Sequence, residues 1–135
     1  MEKRWTIQEI AAETGLSTHT LRYYEKFGLL MGVDRDENGY RQYAETDRQW
    51  IEFLIRLRET GMSMRDMKQF SDLRNQGDPT VRARRELLQA HRQKVTEQIA
   101  ELMENLAVID DKIEYYALLE EGKDEVKKAT QRKNR

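Results

Sequence analysis

Apolar residues in the first thirty positions recur at helical spacing and are interrupted at glycines. The segment Thr6–Glu9 is a T-x-x-E capping box, which predicts the start of a helix that Gly15 ends. Ser17 suits the N-cap of a second helix, and Gly28 follows its last apolar residue. Two short helices joined by so tight a turn predict a helix-turn-helix.

The pattern changes between the second and third predicted helices. Asn38-Gly39 is a strong signal for a two-residue hairpin turn. Val33 lies on one arm of this hairpin, and Tyr40 and Tyr43 lie on the other. We therefore predict a short β-hairpin, or wing, over residues 32–43.

Two more helices follow the wing. The third is predicted over residues 45–60 and is ended by Gly61, and the fourth is capped by Ser63. Their apolar positions at helical spacing are Trp50, Phe53, Leu54 and Leu57 in the third helix, and Met64, Met67, Phe70 and Leu73 in the fourth.

A long uninterrupted helix is predicted from Pro79 to Leu119, with apolar residues alternately three and four positions apart. This heptad pattern predicts a coiled coil, and the alternative is an amphipathic helix that packs on its own domain. The fold is therefore predicted to be mainly α, with a winged helix-turn-helix domain at 1–76, a dimerisation helix at 79–119 and a basic, disordered tail at 122–135. The predicted dimerisation residues are Val95, Ile99, Leu102, Leu106, Ile109, Ile113 and Tyr116.

Charge and composition restrict the possible partners. The formal net charge is −1, and before residue 123 no predicted segment has more Lys and Arg than Asp and Glu, so any DNA contact must come from a few well-placed cations. The absence of cysteine excludes disulfides, thiolate metal sites and thiol redox sensing. His19 and His91 are far apart in the sequence, and we expect neither a metal nor a cofactor. Without a signal peptide or an apolar run of ~18 residues, we expect a cytoplasmic protein that does not enter a membrane.

The second helix has the residue types that bind DNA. Its polar side contains, at helical spacing, the residues His19, Arg22, Tyr23 and Lys26, and Thr18 lies beside them. Guanidinium, ammonium, phenol and hydroxyl groups bond phosphates and base edges. A solvated polar face is the alternative interpretation. On the opposite side Leu21 and Tyr24 are expected to pack inward, and Glu25 is expected to form an ion pair.

The segments TIQEIAAETGLSTHTLRYYEKFGLL and DENGYRQY resemble the DNA-binding head of the MerR family of bacterial transcription regulators. The resemblance extends over about residues 5–119 and implies a homodimer joined by an antiparallel coiled coil. It implies that recognition helices enter the major groove of a pseudo-palindromic promoter, and that the dimer bends and untwists the promoter spacer for RNA polymerase. Position by position, it assigns base or backbone contacts to Thr18, His19, Arg22 and Tyr23. It assigns backbone contacts of the wing to Arg41 and Tyr43, with Tyr40 as a possible core residue.

The segment WIEFLIRLRETGMS is similar to the aldehyde- and electrophile-responsive branch of the family, whose cysteine position holds Arg56 here. Three interpretations of control stay open: a small apolar molecule near Trp50, Phe70 or the pair Met64 and Met67, a partner protein, or no signal at all. The rival function is an architectural or excisionase-like DNA-binding protein, and a second rival is a coiled-coil adaptor. We expect no enzyme, because the sequence has no phosphate-binding glycine loop and no nucleophile with a paired base.

Overall fold

The structure is a computed structural model that describes residues 3–122, and within them it is mainly α-helical with one two-stranded hairpin. This confirms the predicted fold class. The predicted disordered tail, apart from Gly122, lies outside the described residues. The elements in chain order are α1 (Ile7–Thr14), α2 (Thr18–Phe27), β1 (Asp34–Arg35), β2 (Arg41–Gln42), α3 (Glu45–Glu59), α4 (Met64–Asn75), a 3₁₀ turn (Asp78–Thr80) and α5 (Val81–Glu120).

The first two helices begin and end at the residues that the sequence indicates. The Thr6 hydroxyl accepts from the Glu9 N–H, and the Glu9 carboxylate accepts from the Thr6 N–H at 2.9 Å, which completes the capping box. The Ser17 hydroxyl accepts from the Thr20 N–H and caps α2. Gly15 follows α1 with a left-handed backbone, as glycine allows without strain.

The wing pairs antiparallel, with Arg35 opposite Arg41. The expected two-residue turn is wrong, because the loop contains three residues, Glu37–Gly39, between Asp36 and Tyr40. The Asp36 N–H donates to the Tyr40 carbonyl at 2.8 Å. The Asp36 carboxylate accepts from the backbone N–H groups of Asn38 and Tyr40, so it stabilises the wider loop.

The core lies between the helix-turn-helix, the base of the wing and the two following helices. Leu21 and Tyr24 are buried as predicted, and α3 contributes Trp50, Leu54 and Leu57. The predicted position of Phe53 in this core is wrong in part, because its ring is about one third exposed whereas Ile51 is fully buried. The core residues are Trp5, Ile7, Ile10, Leu21, Tyr24, Leu29, Leu30, Tyr43, Trp50, Ile51, Leu54, Leu57, Met62, Met67 and Phe70.

Two buried side chains fix the end of α2 against α3 and α4. The Trp50 indole N–H donates to the Leu29 carbonyl at 2.7 Å, and the Ser71 hydroxyl reaches the Gly28 and Leu29 carbonyls at 3.1 and 3.2 Å. Trp50 also stacks on Phe70 with ring centroids 5.7 Å apart. The aromatic pair that the sequence offered as an apolar ligand site is therefore packed against itself.

Helix α5 contributes residues to two compact units of the chain. Residues 1–92 form one unit, in which Leu87 and Leu88 pack against the core, and a second unit starts at residue 93. From Ile99 to Tyr116 the large apolar side chains of the predicted seam are 51% to 67% exposed. Across the described residues, no helix has both the length and the apolar character for crossing a membrane.

Candidate nucleic-acid interface

Helix α2 has one buried side and one exposed side. Tyr24 is 1% exposed, and its hydroxyl accepts from the Arg58 guanidinium at 3.2 Å. Tyr23 is 47% exposed, so it is the tyrosine of the pair that has surface to offer a ligand. Arg22 is exposed as well, and the remaining candidates on α2 are exposed His19 and Lys26 and half-buried Thr18.

The side chains of α2 that are not buried in the core lie next to two parts of the structure, the turn between α3 and α4 and the wing. Tyr23 stacks on Phe27 with ring centroids 5.7 Å apart. Together with His19, Arg58 and Met62 it lines a pocket of about 350 Å³ beside the turn between α3 and α4. His19 and Tyr23, which the sequence placed on one face with Arg22, thus lie beside this pocket.

The other boundary of α2 meets the wing through an ion-paired cluster. One Glu25 carboxylate oxygen accepts from Arg41 Nε of β2 at 2.5 Å. The other lies 3.6 Å from Arg35 Nη2 of β1. The Arg41 and Glu25 side chains are each 23% exposed, so this contact is partly shielded from water. The ion pair predicted for Glu25 is confirmed, and its partners are the wing arginines.

The Tyr43 side chain, for which a backbone contact of the wing was predicted, is 0% exposed in this structure and so has no surface to offer DNA. Its backbone forms a two-way bridge with Trp5, at 2.8 and 2.9 Å, which turns the ring into the core. The predicted core role of Tyr40 is wrong, since Tyr40 is 69% exposed near the wing tip.

The Tyr43 phenol lies in an electrostatically crowded position. Its pKa is raised to about 12, chiefly by burial and then by the Glu25 charge, whereas the charges of Arg41 and Arg22 act in the opposite direction. The hydroxyl has no hydrogen-bond partner among the described residues. The buried phenol therefore lies close to the charges of both α2 and the wing.

Two arginines of this surface were missed by sequence reasoning. Arg35 pairs with Glu25 and donates to the Gly39 carbonyl at 2.9 Å, and Arg58 reaches Tyr24. The spacing of apolar residues gives no information about either arginine, so sequence patterns could not identify them. The carboxylate of Glu25 within α2 was the one signal that a cation lies nearby. Among the described residues, no group of three His, Cys, Asp or Glu side chains could hold a metal ion.

Two family models match the chain, and together they extend over most of it. The model described as "MerR HTH family regulatory protein" matches residues 5–73, which include the helix-turn-helix, the wing, α3 and most of α4. The model described as "MerR, DNA binding" matches residues 48–112.

Known proteins with similar sequences and structures are regulators. An uncharacterized HTH-type transcriptional regulator of Haemophilus influenzae is 39% identical over 112 residues, 83% of each chain. The HTH-type transcriptional regulator AdhR of Bacillus subtilis is 41% identical over 67% of this chain and 65% of its own. The crystal structure of HiNmlR, a MerR family regulator lacking the sensor domain and bound to promoter DNA, superimposes with a TM-score of 0.80. It is 37% identical and covers 87% of this chain and 94% of its own.

Proposed function

We propose that this chain, which belongs to the MerR family and is a DNA-binding transcription regulator, acts as a homodimer on a pseudo-palindromic promoter. The observation that carries the proposal is the arrangement of α2. Leu21 and Tyr24 fix one side of this helix in the core, while Arg22 and Tyr23 extend from the other side. A guanidinium and a phenol held on a rigid helix suit base edges and phosphates in a major groove.

The proposed DNA contacts are made by a few side chains because the chain has no bulk positive charge. On α2 they are Thr18, His19, Arg22, Tyr23 and Lys26, and on the wing Arg41 contacts the backbone. Phosphate contacts position the protein, whereas base contacts supply the sequence preference.

Dimerisation is proposed through the exposed apolar side chains of α5. Ile99, Leu106 and Ile113 are spaced by heptads and are more than half exposed. Covering such surface contributes about 25 cal/mol per Å² of apolar area, which favours association with a second copy. An antiparallel pairing of two α5 helices covers the seam of both chains. The dimer also doubles the phosphate contacts of a near-neutral protomer.

The proposed mode of control is activation by bending and untwisting the promoter spacer, so that RNA polymerase engages both promoter elements. Such deformation of the DNA costs roughly 1–6 kcal/mol by elastic estimates, and contacts at both half-sites offset this cost. The crystal structure of the similar protein HiNmlR bound to promoter DNA supports action at a promoter. Acting on promoter DNA places the protein in the cytoplasm.

The proposal is tested by binding to the DNA upstream of the protein's own gene, compared with unrelated DNA of equal length. Arg22→Ala should weaken specific binding by roughly 1–3 kcal/mol if Arg22 contacts a base. Arg82→Ala is the matched control, since it removes an exposed arginine from α5 together with its exposed ion pair to Glu86. Wild-type affinity in a folded Arg22→Ala protein would contradict base contact, and equal affinity for all DNA would favour an architectural role.

A further inference from the structure

We propose that Glu25 is a specificity-determining residue, which holds the wing arginines Arg35 and Arg41 and restrains them from binding phosphate independently of sequence. This inference rests on the proposed function, because it concerns how the interface discriminates among DNA sequences. It gives a role to a carboxylate that lies inside a recognition helix, where a free negative charge would repel DNA.

The cluster joins the two parts of the interface through one side chain. Glu25 belongs to α2, and its two oxygens face cations on both strands of the hairpin, Arg41 at 2.5 Å and Arg35 at 3.6 Å. Arg35 is further tied to the Gly39 carbonyl of the wing loop. The wing is thus attached to the recognition helix by its own cations.

The surroundings strengthen this attachment. The Glu25 and Arg41 side chains are 23% exposed, and the fully buried ring of Tyr43 lies beside them. Opposite charges that are partly shielded from water attract more strongly than charges in bulk solvent. Arg22 lies one helical turn before Glu25, and its charge also acts on the Tyr43 phenol. The cluster therefore lies between the proposed base-contacting arginine and the wing.

A phosphate and the Glu25 carboxylate compete for the same guanidinium protons. When α2 makes no base contacts, a phosphate at the wing must displace the Glu25 carboxylate without help from the rest of the interface. Arg35 and Arg41 therefore add little to the affinity for random DNA. When α2 is seated on its own sequence, the rest of the interface holds the backbone in place, and the exchange becomes favourable. In this way, base contacts made by α2 are coupled to phosphate contacts made by the wing arginines.

The test uses the full-length protein with Glu25→Gln, which keeps the side-chain size and removes the charge. Affinity for unrelated DNA should rise about threefold to tenfold, and its salt dependence should steepen by about four units of slope per dimer, one for each of the two freed cations in each protomer. Affinity for the promoter should rise less or fall, so that the ratio of specific to non-specific affinity drops about tenfold.

Glu52→Gln is the matched control, because Glu52 also pairs with a partly shielded arginine, Arg48, which keeps a second carboxylate in Glu45. It removes the same charge from the protein and should leave the specificity ratio unchanged. Wild-type protein measured in parallel separates the two proposals. Failure of the wild type to prefer its promoter overturns the proposed function, whereas a preference that Glu25→Gln leaves intact overturns only the role of Glu25.

A structural role of Glu25 gives a different result, namely a lower melting temperature with equal changes on both DNAs and an unchanged salt slope. That result overturns the proposal. If Glu25→Gln does not fold, the charge-balanced double variant Glu25→Gln with Arg41→Gln replaces it. The double variant frees only Arg35, so its salt slope on unrelated DNA should steepen by only about two units per dimer, while it loses affinity for the promoter. Unchanged promoter affinity in the double variant overturns the proposal as well.

Discussion

At the scale of single residues, the adjacent tyrosines of α2 have different environments, one in the core and one at the surface. Tyr24 lies in the core with its hydroxyl bonded to Arg58, while Tyr23 stacks on Phe27 and stays half exposed. Helical periodicity alone separates these two, because positions one residue apart lie about 100° apart around a helix. The inward position of Leu21 and Tyr24 was predictable for the same reason.

Replacing Tyr43 by phenylalanine tests whether the buried Tyr43 side chain contacts DNA. Because the Tyr43 hydroxyl is buried without a partner among the described residues, its removal should be neutral or stabilise the protein by about 1 kcal/mol. Affinity for promoter DNA should not change, since the ring has no exposed surface. Chemical denaturation and a binding titration measure the two effects. A loss of affinity in the stable variant would mean that Tyr43 leaves the core on DNA.

The same phenol gives a pH dependence in the alkaline range. Burial raises the pKa of Tyr43 to about 12, above its unfolded value of about 10. The folded state holds this proton more tightly, so the stabilisation is complete below pH 10 and is lost as the pH rises towards 12. Tyr43→Phe should unfold less steeply over that interval than the wild type. Identical alkaline unfolding curves would show that Tyr43 does not titrate as the buried phenol.

The burial of Tyr43 and the exposure of Tyr40 could not be predicted from the sequence. Each strand of the wing has two residues, too few for an alternating pattern to indicate which face is buried. The burial of Tyr43 is set by its bridge to Trp5, 38 positions earlier in the chain. The Glu25 cluster depends on the wing in the same way, so local sequence indicated an ion pair but not its partners.

At the scale of elements, boundaries were predictable because their causes are local. Thr6, Ser17 and Ser63 each accept a backbone N–H three residues later, and these caps need no tertiary contact. The wing turn was less predictable, since Asp36 bonds two backbone N–H groups and widens the loop. The content of the α3 stripe also changed, because Ile51 rather than Phe53 meets the core.

The two glycines that end α1 and α2 offer a matched pair of substitutions. Gly15 and Gly28 have φ angles of 80° and 92°, where an alanine side chain is strained by about 1–2 kcal/mol. A Cβ at Gly15 meets nothing within 4 Å, whereas at Gly28 it meets the Nζ atom of Lys68 at 3.3 Å. Gly15→Ala and Gly28→Ala should therefore destabilise the protein by similar amounts, measured by urea denaturation.

A much larger loss for Gly28→Ala would show that the Lys68 side chain cannot move aside. Lys68 is held by Asp72 at 3.1 Å, an exposed i,i+4 pair that contributes little on its own. Adding Lys68→Ala to Gly28→Ala then serves as the control, since it removes the neighbour and leaves only the backbone strain.

At the scale of the whole molecule, the charge of the chain and the exposed apolar seam of α5 favour recognition by two copies. The net charge of −1 leaves no bulk attraction for DNA, and the described residues expose a heptad seam from Ile99 to Tyr116. One recognition helix reads one half-site, and tethering a second helix raises its effective concentration at the other half-site. Under the proposed function, dimerisation is therefore a condition for specific binding.

Leu106→Asp tests this dependence. In the proposed dimer, a carboxylate at position 106 would be buried at the seam without a partner, and the cost of several kcal/mol should yield a monomer. Sedimentation measures the assembly state, and circular dichroism checks that the helices remain. Specific affinity should fall by orders of magnitude because the two half-sites are no longer tethered.

Asn105→Asp is the control for charge, since it adds the same carboxylate one residue away and outside the heptad seam. It should remain dimeric and bind the promoter with wild-type affinity at moderate salt, where a single exposed charge is screened. A monomeric Leu106→Asp protein that still binds its promoter at wild-type affinity would contradict the requirement for a dimer. The exposed seam of α5 would then serve a protein partner, as expected of a coiled-coil adaptor.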